Sequence, residues 1–416
     1  MKKVKVGVFG VGRGASLSEF FTVSENAEIV AVCDKWEDGL RRFEKQMNNP
    51  NIACFTSFDA FIEHDMDAVV LANYANEHAR FAMTCLKKGK HVFSEVLPVQ
   101  TMQEAVELVE AVESSDRIYA YGENYCFMPA PREMRKLYRQ GMLGEFEYGE
   151  GEYMHNCESI WPQITQGNPD HWRNNMYANF YCTHSIGPLI HITGQRPVKV
   201  TGFELPFDAR MARCGAKAGA CGIEMITLEN GAILKSIHGN AARNSVWYSI
   251  YGSKGRMESA REDAQNGDFT RIYRNCDEYE GQNNGEVVTY EPTDDLAEKA
   301  KAFGHGSSDF YTMYNFIEKI RGNQNADVIG VYEALDMFLP GMFAYRSVLN
   351  GGIPMEIPNL RNKAERDLWR HDTMCTDPKV AGDQLIPSYS KGNPDIEEAI
   401  YAGIRNAWIR SLEETK

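Results

Sequence analysis

The sequence predicts an α/β protein with two parts. An N-terminal doubly wound parallel sheet of the Rossmann type is followed by an α+β domain with a large, mainly antiparallel sheet. Three observations carry this. The first third alternates short apolar runs with helical patterns, as strands buried on both faces of a parallel sheet do. A glycine-rich turn, GVFGVGRGAS, follows the first of those runs. From about residue 145 the runs lengthen and mix apolar with polar positions, the pattern of strands with one wet face. At 416 residues the chain exceeds what one core comfortably serves. The division expected is 1–123 for the Rossmann domain, 124–360 for the α+β domain, and 361–416 for a C-terminal extension with one helix.

Taken in order, VKVGVFG (4–10), EIVAVCD (28–34), ACFTSF (53–58), DAVVLAN (67–73), HVFSEV (91–96) and RIYAYGENY (117–125) read as strands of the parallel sheet. Between them, RRFEKQM (41–47), EHARFAMTCLKKG (77–89) and TMQEAVELVEAVESS (101–115) read as helices. Gly89 is placed to end one of them in a left-handed cap. Thr101 with Glu104 three residues on forms a capping box for another. In the second part FEYGEGEYMH (146–155), VKVTGFEL (198–205), IEMITLENGAILKSIHG (223–239) and SVWYSIYGSKGRMES (245–259) read as strands. Asn230-Gly231 predicts a type I′ hairpin. Helices over 309–322 and 331–351 are expected on a face of that sheet, loop and short strands over 260–298, and a last helix over 396–414.

The composition is that of a soluble globular chain, with 43% hydrophobic and 25% charged residues. A net charge of −14 argues against a nucleic-acid surface or an anionic membrane. The ten cysteines show no CxxC pair and no zinc-like spacing, so no metal site is expected and a reduced, cytoplasmic protein is the simplest account. The N-terminus lacks a signal-peptide pattern, and no apolar run approaches a membrane span.

The turn after the first strand places Gly10, Gly12 and Gly14 in a GxGxG spacing around Arg13, with Asp34 at the end of the second strand. Gly10 allows the tight turn and Gly12 a close backbone approach to a pyrophosphate, which the helix N-terminus attracts. A carboxylate at Asp34 binds a ribose diol and repels a 2′-phosphate, which favours NAD over NADP. Glu95 ends a parallel strand at the edge where such folds bind ligands.

Tyr153 and His155 stand two apart on a strand and share a face. Tyr181 and His184 stand three apart, on one face of a helix. Imidazoles titrate near pH ~6.5 and phenols near ~10, so the four residues can serve as acids and bases. Arg173 is suited to a planar anionic or acetamido group. His91, His191 and His238 read as structural, and His64 sits in a polar turn.

The order of motifs is specific. NYANEH (73–78), KKGKHVFSEVLP (87–98) and ENYCFM (123–128), then a large sheet domain, resembles the Gfo/Idh/MocA oxidoreductase family over residues 3–360. That resemblance implies Arg13, Asn73, His78 and Glu95 as further cofactor-site residues. Sugar dehydrogenases of this family carry Glu-Lys-Pro, the lysine polarising the reacting hydroxyl. Here the stretch is Glu95-Val96-Leu97-Pro98, without the lysine. GEYMHNCE (151–158) and NFYCTHSIGP (179–188) are similar instead to the NAD-dependent glycosidases of the α-N-acetylgalactosaminidase type, which show Tyr-x-His and Tyr-x-Thr-His-x-x-Gly-Pro.

That branch implies redox-assisted elimination. A hydride leaves sugar C3, the C2 proton is removed, the aglycone departs from C1, water adds, and the hydride returns. Tyr153 and His155 are assigned to the hydride side and base work, and Tyr181 and His184 to binding or protonation. Thr183, Arg173, Glu95 and His305 are assigned to sugar binding. The competing expectations are a net NAD-dependent sugar or polyol dehydrogenase and a non-catalytic sugar-sensing regulator. The partners expected are a small-molecule sugar or glycoside and further copies of the chain, as a dimer or tetramer.

Overall fold

The computed structural model describes residues 2–261, 271–277 and 287–414. The first compact unit holds a six-stranded sheet of β1 (Val4–Phe9), β2 (Ala27–Cys33), β3 (Ala53–Phe55), β4 (Ala68–Leu71), β5 (His91–Ser94) and β6 (Tyr119–Tyr121). The order is β3-β2-β1-β4-β5-β6, and every pairing is parallel. Strand order reverses between β1 and β4, the switch point where such sheets bind ligands. All four residues of β4 are buried, as a central strand covered on both faces requires.

Helices α1 (Val11–Ser18), α2 (Glu37–Met47), α3 (His78–Lys87) and α4 (Met102–Glu113) connect the strands. The Thr101 hydroxyl accepts from the Glu104 N–H at 3.1 Å and caps α4. The carboxylate of Glu104 reaches back one residue further than a standard box, to Gln100 N at 2.7 Å. Gly89 ends α3 at φ 70, with its N–H on Leu86 O.

The second unit is built on nine strands: β7 (Phe146–Met154), β8 (Pro197–Glu204), β9 (Cys221–Leu228), β10 (Ile233–Gly239), β11 (Ser245–Gly252), β12 (Gly255–Ser259), β13 (Ile272–Cys276), β14 (Val287–Tyr290) and β15 (Met355–Glu356). Their order is β14-β13-β12-β11-β7-β10-β9-β8-β15. Only the β7–β10 pairing is parallel. Helix α5 (Thr183–Thr193), buried along its whole length, lies on β7, β10 and β11. It comes so close to β7 that a Cβ at Gly151 would overlap Ser185 O.

Several expectations are corrected. The β9–β10 turn is not type I′: Leu228 N bonds Ala232 O across three residues, and only Gly231 has positive φ, at 87. That is a three-residue loop with a bulge glycine. Helix α6 (Ser308–Ile320) does not cover the large sheet. Its apolar face belongs to the first unit, Phe310 against Phe20 at 5.5 Å and Phe316 against Phe93 at 5.7 Å.

The units are not the three linear segments 1–123, 124–360 and 361–416. The first takes 1–132, 292–335 and 360–371; the second takes 133–291, 336–359 and 372–416. Charge explains part of this, because Arg366 and Arg370 tie the start of the tail to Glu113 and Glu110 of α4. The later helix Glu398–Glu414 docks by Tyr401 Oη on Gly215 O and Arg405 on Gly167 O. Of the loop expected over 260–298, residues 262–270 and 278–286 lie outside the described residues, and β13 and β14 are its short strands.

Candidate active site

In the first unit, Gly10 turns the chain out of β1 at φ 99, a conformation that favours glycine, and a Cβ there would meet Ala72 O at 2.4 Å. At Gly14 a Cβ would meet Val8 at 2.7 Å, so this glycine lets α1 lie close on the sheet. Outside its own helix, no described residue lies within 4 Å of a Cβ built on Gly12. Asp34 stands beside the turn, its two carboxylate oxygens accepting from Val11 N and Trp36 N, each at 2.9 Å. After β4, the buried side-chain oxygens of Asn73 and Asn76 have no donor among the described residues. An open cradle at a glycine turn, a helix N-terminus, a carboxylate at the end of β2 and orphaned acceptors at the switch point together fit a dinucleotide.

His78 is placed differently from the expectation. It is buried, its Nδ1 2.9 Å from Leu97 O and its Nε2 3.2 Å from Asn73 O. It presents no nitrogen to a ligand, and as a neutral ring it donates to only one of the two carbonyls. Burial pushes it down to about 4, so it is neutral.

Arg13 also has an unforeseen occupation. Its Nε donates to Glu95 at 2.8 Å, its Nη1 to Asp309 at 2.7 Å and to Ser16 at 2.7 Å, and its Nη2 to Asp309 at 2.5 Å. His305 Nδ1 lies 3.0 Å from Asp309 and 3.4 Å from Arg13. Burial alone would raise the Asp309 carboxyl, but bonds from Arg13 and His305 outweigh it and hold it well below the usual range. Glu95 and His305, expected at the sugar, therefore belong with Asp309 to a network closed around the nucleotide loop. His305 and Ser307 hold positive φ of 53 and 69 as the chain enters α6.

In the second unit, β7 supplies Tyr153 and His155, whose Oη and Nδ1 are 3.1 Å apart. The Tyr153 ring centroid lies 4.7 Å from that of His184 and 6.4 Å from that of Tyr181. Tyr181 and His184 meet edge to face at 5.1 Å. Arg173, on the short helix Trp172–Asn175, donates from Nη2 to Tyr181 Oη at 3.0 Å and lies 4.7 Å from both the Tyr181 and Trp172 ring centroids. Five of the expected residues thus converge on one spot. Thr183, assigned to the sugar, is fully buried at the first residue of α5.

Pro188 is the sixth residue of α5 and not its first turn. A proline there removes the N–H that would bond the His184 carbonyl four residues back. The Tyr248 hydroxyl of β11 takes that carbonyl instead, at 2.5 Å. Sequence reading missed Tyr248, since nothing local marks a partner 64 residues away. Among the described residues no group of His, Cys, Asp or Glu is arranged to hold a metal ion.

Residues 4–123 match the model of the Gfo/Idh/MocA oxidoreductase family, described as an NAD-binding Rossmann fold. The match covers this Rossmann stretch, and NAD is the cofactor it binds. Over nearly the whole chain, a glycosyl hydrolase family 109 protein of Solibacter usitatus is 27% identical across 396 residues, covering 86% of this chain and 88% of that protein. Glycosyl hydrolase family 109 protein 2 of Shewanella sp. (strain ANA-3) is 32% identical over 202 residues, 45% of this chain and 44% of that protein. The stretch matched there spans about half of that relative. Among solved structures, scyllo-inositol dehydrogenase of Lactobacillus casei with bound NAD(H) and scyllo-inositol superposes with a TM-score of 0.66 at 18% identity, covering 87% of this chain and all of that one. That likeness shows the fold.

Proposed function

We propose that the protein is an NAD-dependent glycoside hydrolase that cleaves a sugar–aglycone bond by oxidation, elimination, hydration and reduction on a single sugar. The observation that carries this is the convergence of Tyr153, His155, Tyr181 and His184, two phenol–imidazole pairs with one guanidinium beside them. Relatives named glycosyl hydrolase family 109 proteins support the substrate class. The absence of a lysine from Glu95-Val96-Leu97-Pro98 speaks against a plain sugar dehydrogenase.

NAD supplies hydride acceptance from the sugar C3 carbinol and its return. Oxidation there acidifies the C2 hydrogen. The Tyr153 oxygen takes that proton as its own passes to His155 Nδ1, 3.1 Å away. Tyr181, its oxygen accepting from Arg173, and His184 bind the sugar and deliver a proton to the departing aglycone oxygen. Arg173, part-buried against the Trp172 and Tyr181 rings, offers its remaining N–H groups to a planar substituent on the sugar. Turnover of an aryl glycoside in deuterated water tests the reading: the released sugar should carry deuterium at C2. Hydrolysis that leaves C2 fully protonated would contradict it.

The outer face of the large sheet exposes Phe203 and Met225, 51% and 38% accessible, beside part-exposed Ile223 and Ile237. A homo-oligomer, dimer or tetramer, that covers this face fits the pattern. Light scattering should give a multiple of the 47.0 kDa chain mass, and a monomer at assay concentration would refute it. All ten cysteines are free thiols, which fits a reducing, cytoplasmic setting. Recovery in the cell with a disulfide would count against that.

A further inference from the structure

Under the segment that carries Tyr181 and His184 lies a set of buried polar groups with no part in the chemistry above. Glu224 of β9, Ser236 and His238 of β10, Ser185 of α5 and Asn179 of the turn before it are all inaccessible to solvent. Asn179 Nδ2 donates to Glu224 Oε1 at 3.3 Å. His238 places Nε2 3.9 Å from the same oxygen and Nδ1 3.2 Å from Ser236 Oγ. Ser185 donates to Cys182 O at 2.7 Å and touches Ser236 Oγ at 2.6 Å. Gly222, next to Glu224, has no side chain where a Cβ would press on Asn179 Nδ2 at 2.7 Å, so the turn is seated directly on β9.

Two buried oxygens in this set have no hydrogen-bond donor among the described residues: Glu224 Oε2 and Asn179 Oδ1. They belong to the same pair. The groups facing the Glu224 carboxyl are Asn179, Ser236 and His238, and no lysine or arginine of the described residues is among its partners. A carboxylate left ionised there would be an uncompensated buried charge, whereas a proton on the carboxyl adds the donor the pair lacks.

We propose that Glu224 is a positioning residue that works as a neutral carboxylic acid, anchoring Asn179 and through it the turn and helix that hold Tyr181 and His184. Burial pushes Glu224 up to about 8 and His238 down to about 4, so at neutral pH both are uncharged. The catalytic side of this rests on the reading of Tyr181 and His184 given above.

Glu224→Gln keeps the shape and neutrality of the acid but cannot ionise. A carboxyl raised in the folded state contributes its stability in full below its ordinary value of 4.5 and has lost it by about pH 8. The melting temperature of E224Q relative to wild type should therefore climb from pH 4.5 to 8 and then level off. With an aryl glycoside at pH 7, E224Q should keep kcat near wild type, while E224A should lose about tenfold or more through misplacement of the proton donors. A melting difference that is flat or falls with pH, or an E224Q as inactive as E224A, would overturn the proposal. The melting comparison needs no substrate and no second variant, so it stands if E224A does not fold or if the glycoside reading fails.

Discussion

At the nucleotide loop the charged side chains are locked in pairs, Arg13 between Glu95 and Asp309 with His305 behind, whereas the Tyr153–His184 cluster consists of aromatic rings around one cation. The first arrangement fixes geometry by full charges at 2.5–2.8 Å. The second sets phenols against imidazoles, whose protons move at modest cost. Under the proposed mechanism, the contrast separates a region that holds the cofactor through the cycle from one that takes up and releases protons within it.

The strongest way to break this contrast is to strip the ring cluster. The double substitution Tyr153→Phe and His155→Ala should lower kcat about a thousandfold, the upper range for general acid–base loss, while NAD affinity measured by titration stays unchanged. A matching loss of NAD affinity would mean that the two regions are not functionally distinct. Next in size, Asp309→Asn removes the partner of a guanidinium whose other carboxylate is Glu95, and should cost about 3 kcal/mol of stability. Since the Asp309 carboxyl is depressed in the folded state, its contribution is present above its ordinary value of 3.8 and lost as pH falls further. The difference between wild type and D309N should thus shrink at the acid end of a melting series. A difference that persists unchanged below pH 3 would contradict the pairing.

The smallest effect sharpens the ring cluster itself. Tyr248→Phe removes the hydroxyl that donates to the His184 carbonyl and should cost about 2 kcal/mol, with a drop in kcat. Pro188→Ala returns a helix N–H to that carbonyl. In the P188A background the Y248F penalty should therefore fall, and a double-mutant cycle with no coupling would reject the link.

Much of this was legible in the chain because periodicity and glycine spacing are local. The parallel strands, the capped α4 and the Gly10–Gly14 turn each declare themselves within a dozen residues. The five residues Tyr153, His155, Arg173, Tyr181 and His184 were legible as candidates because short motifs preserve their spacing. What escaped were relations across the chain. Arg13 looks like a free cofactor-site residue until Asp309, 296 residues on, is seen to occupy it. His78 looks like a site histidine until two backbone carbonyls are found on its ring. The sequence of helix α6 does not declare its unit, because amphipathicity shows that a face is buried and not which sheet buries it. Glu224 sits among alternating strand residues, IEMITL, and only the fold shows that its side is the dry one.

One experiment bears most directly on the central claim. The NAD⁺-loaded protein is given aryl glycosides, and aglycone release is followed together with the absorbance of reduced nicotinamide. Many turnovers of aglycone with no accumulation of NADH are the result predicted. NADH formed in proportion to sugar consumed, with the glycosidic bond intact, would contradict it and return the protein to the dehydrogenases.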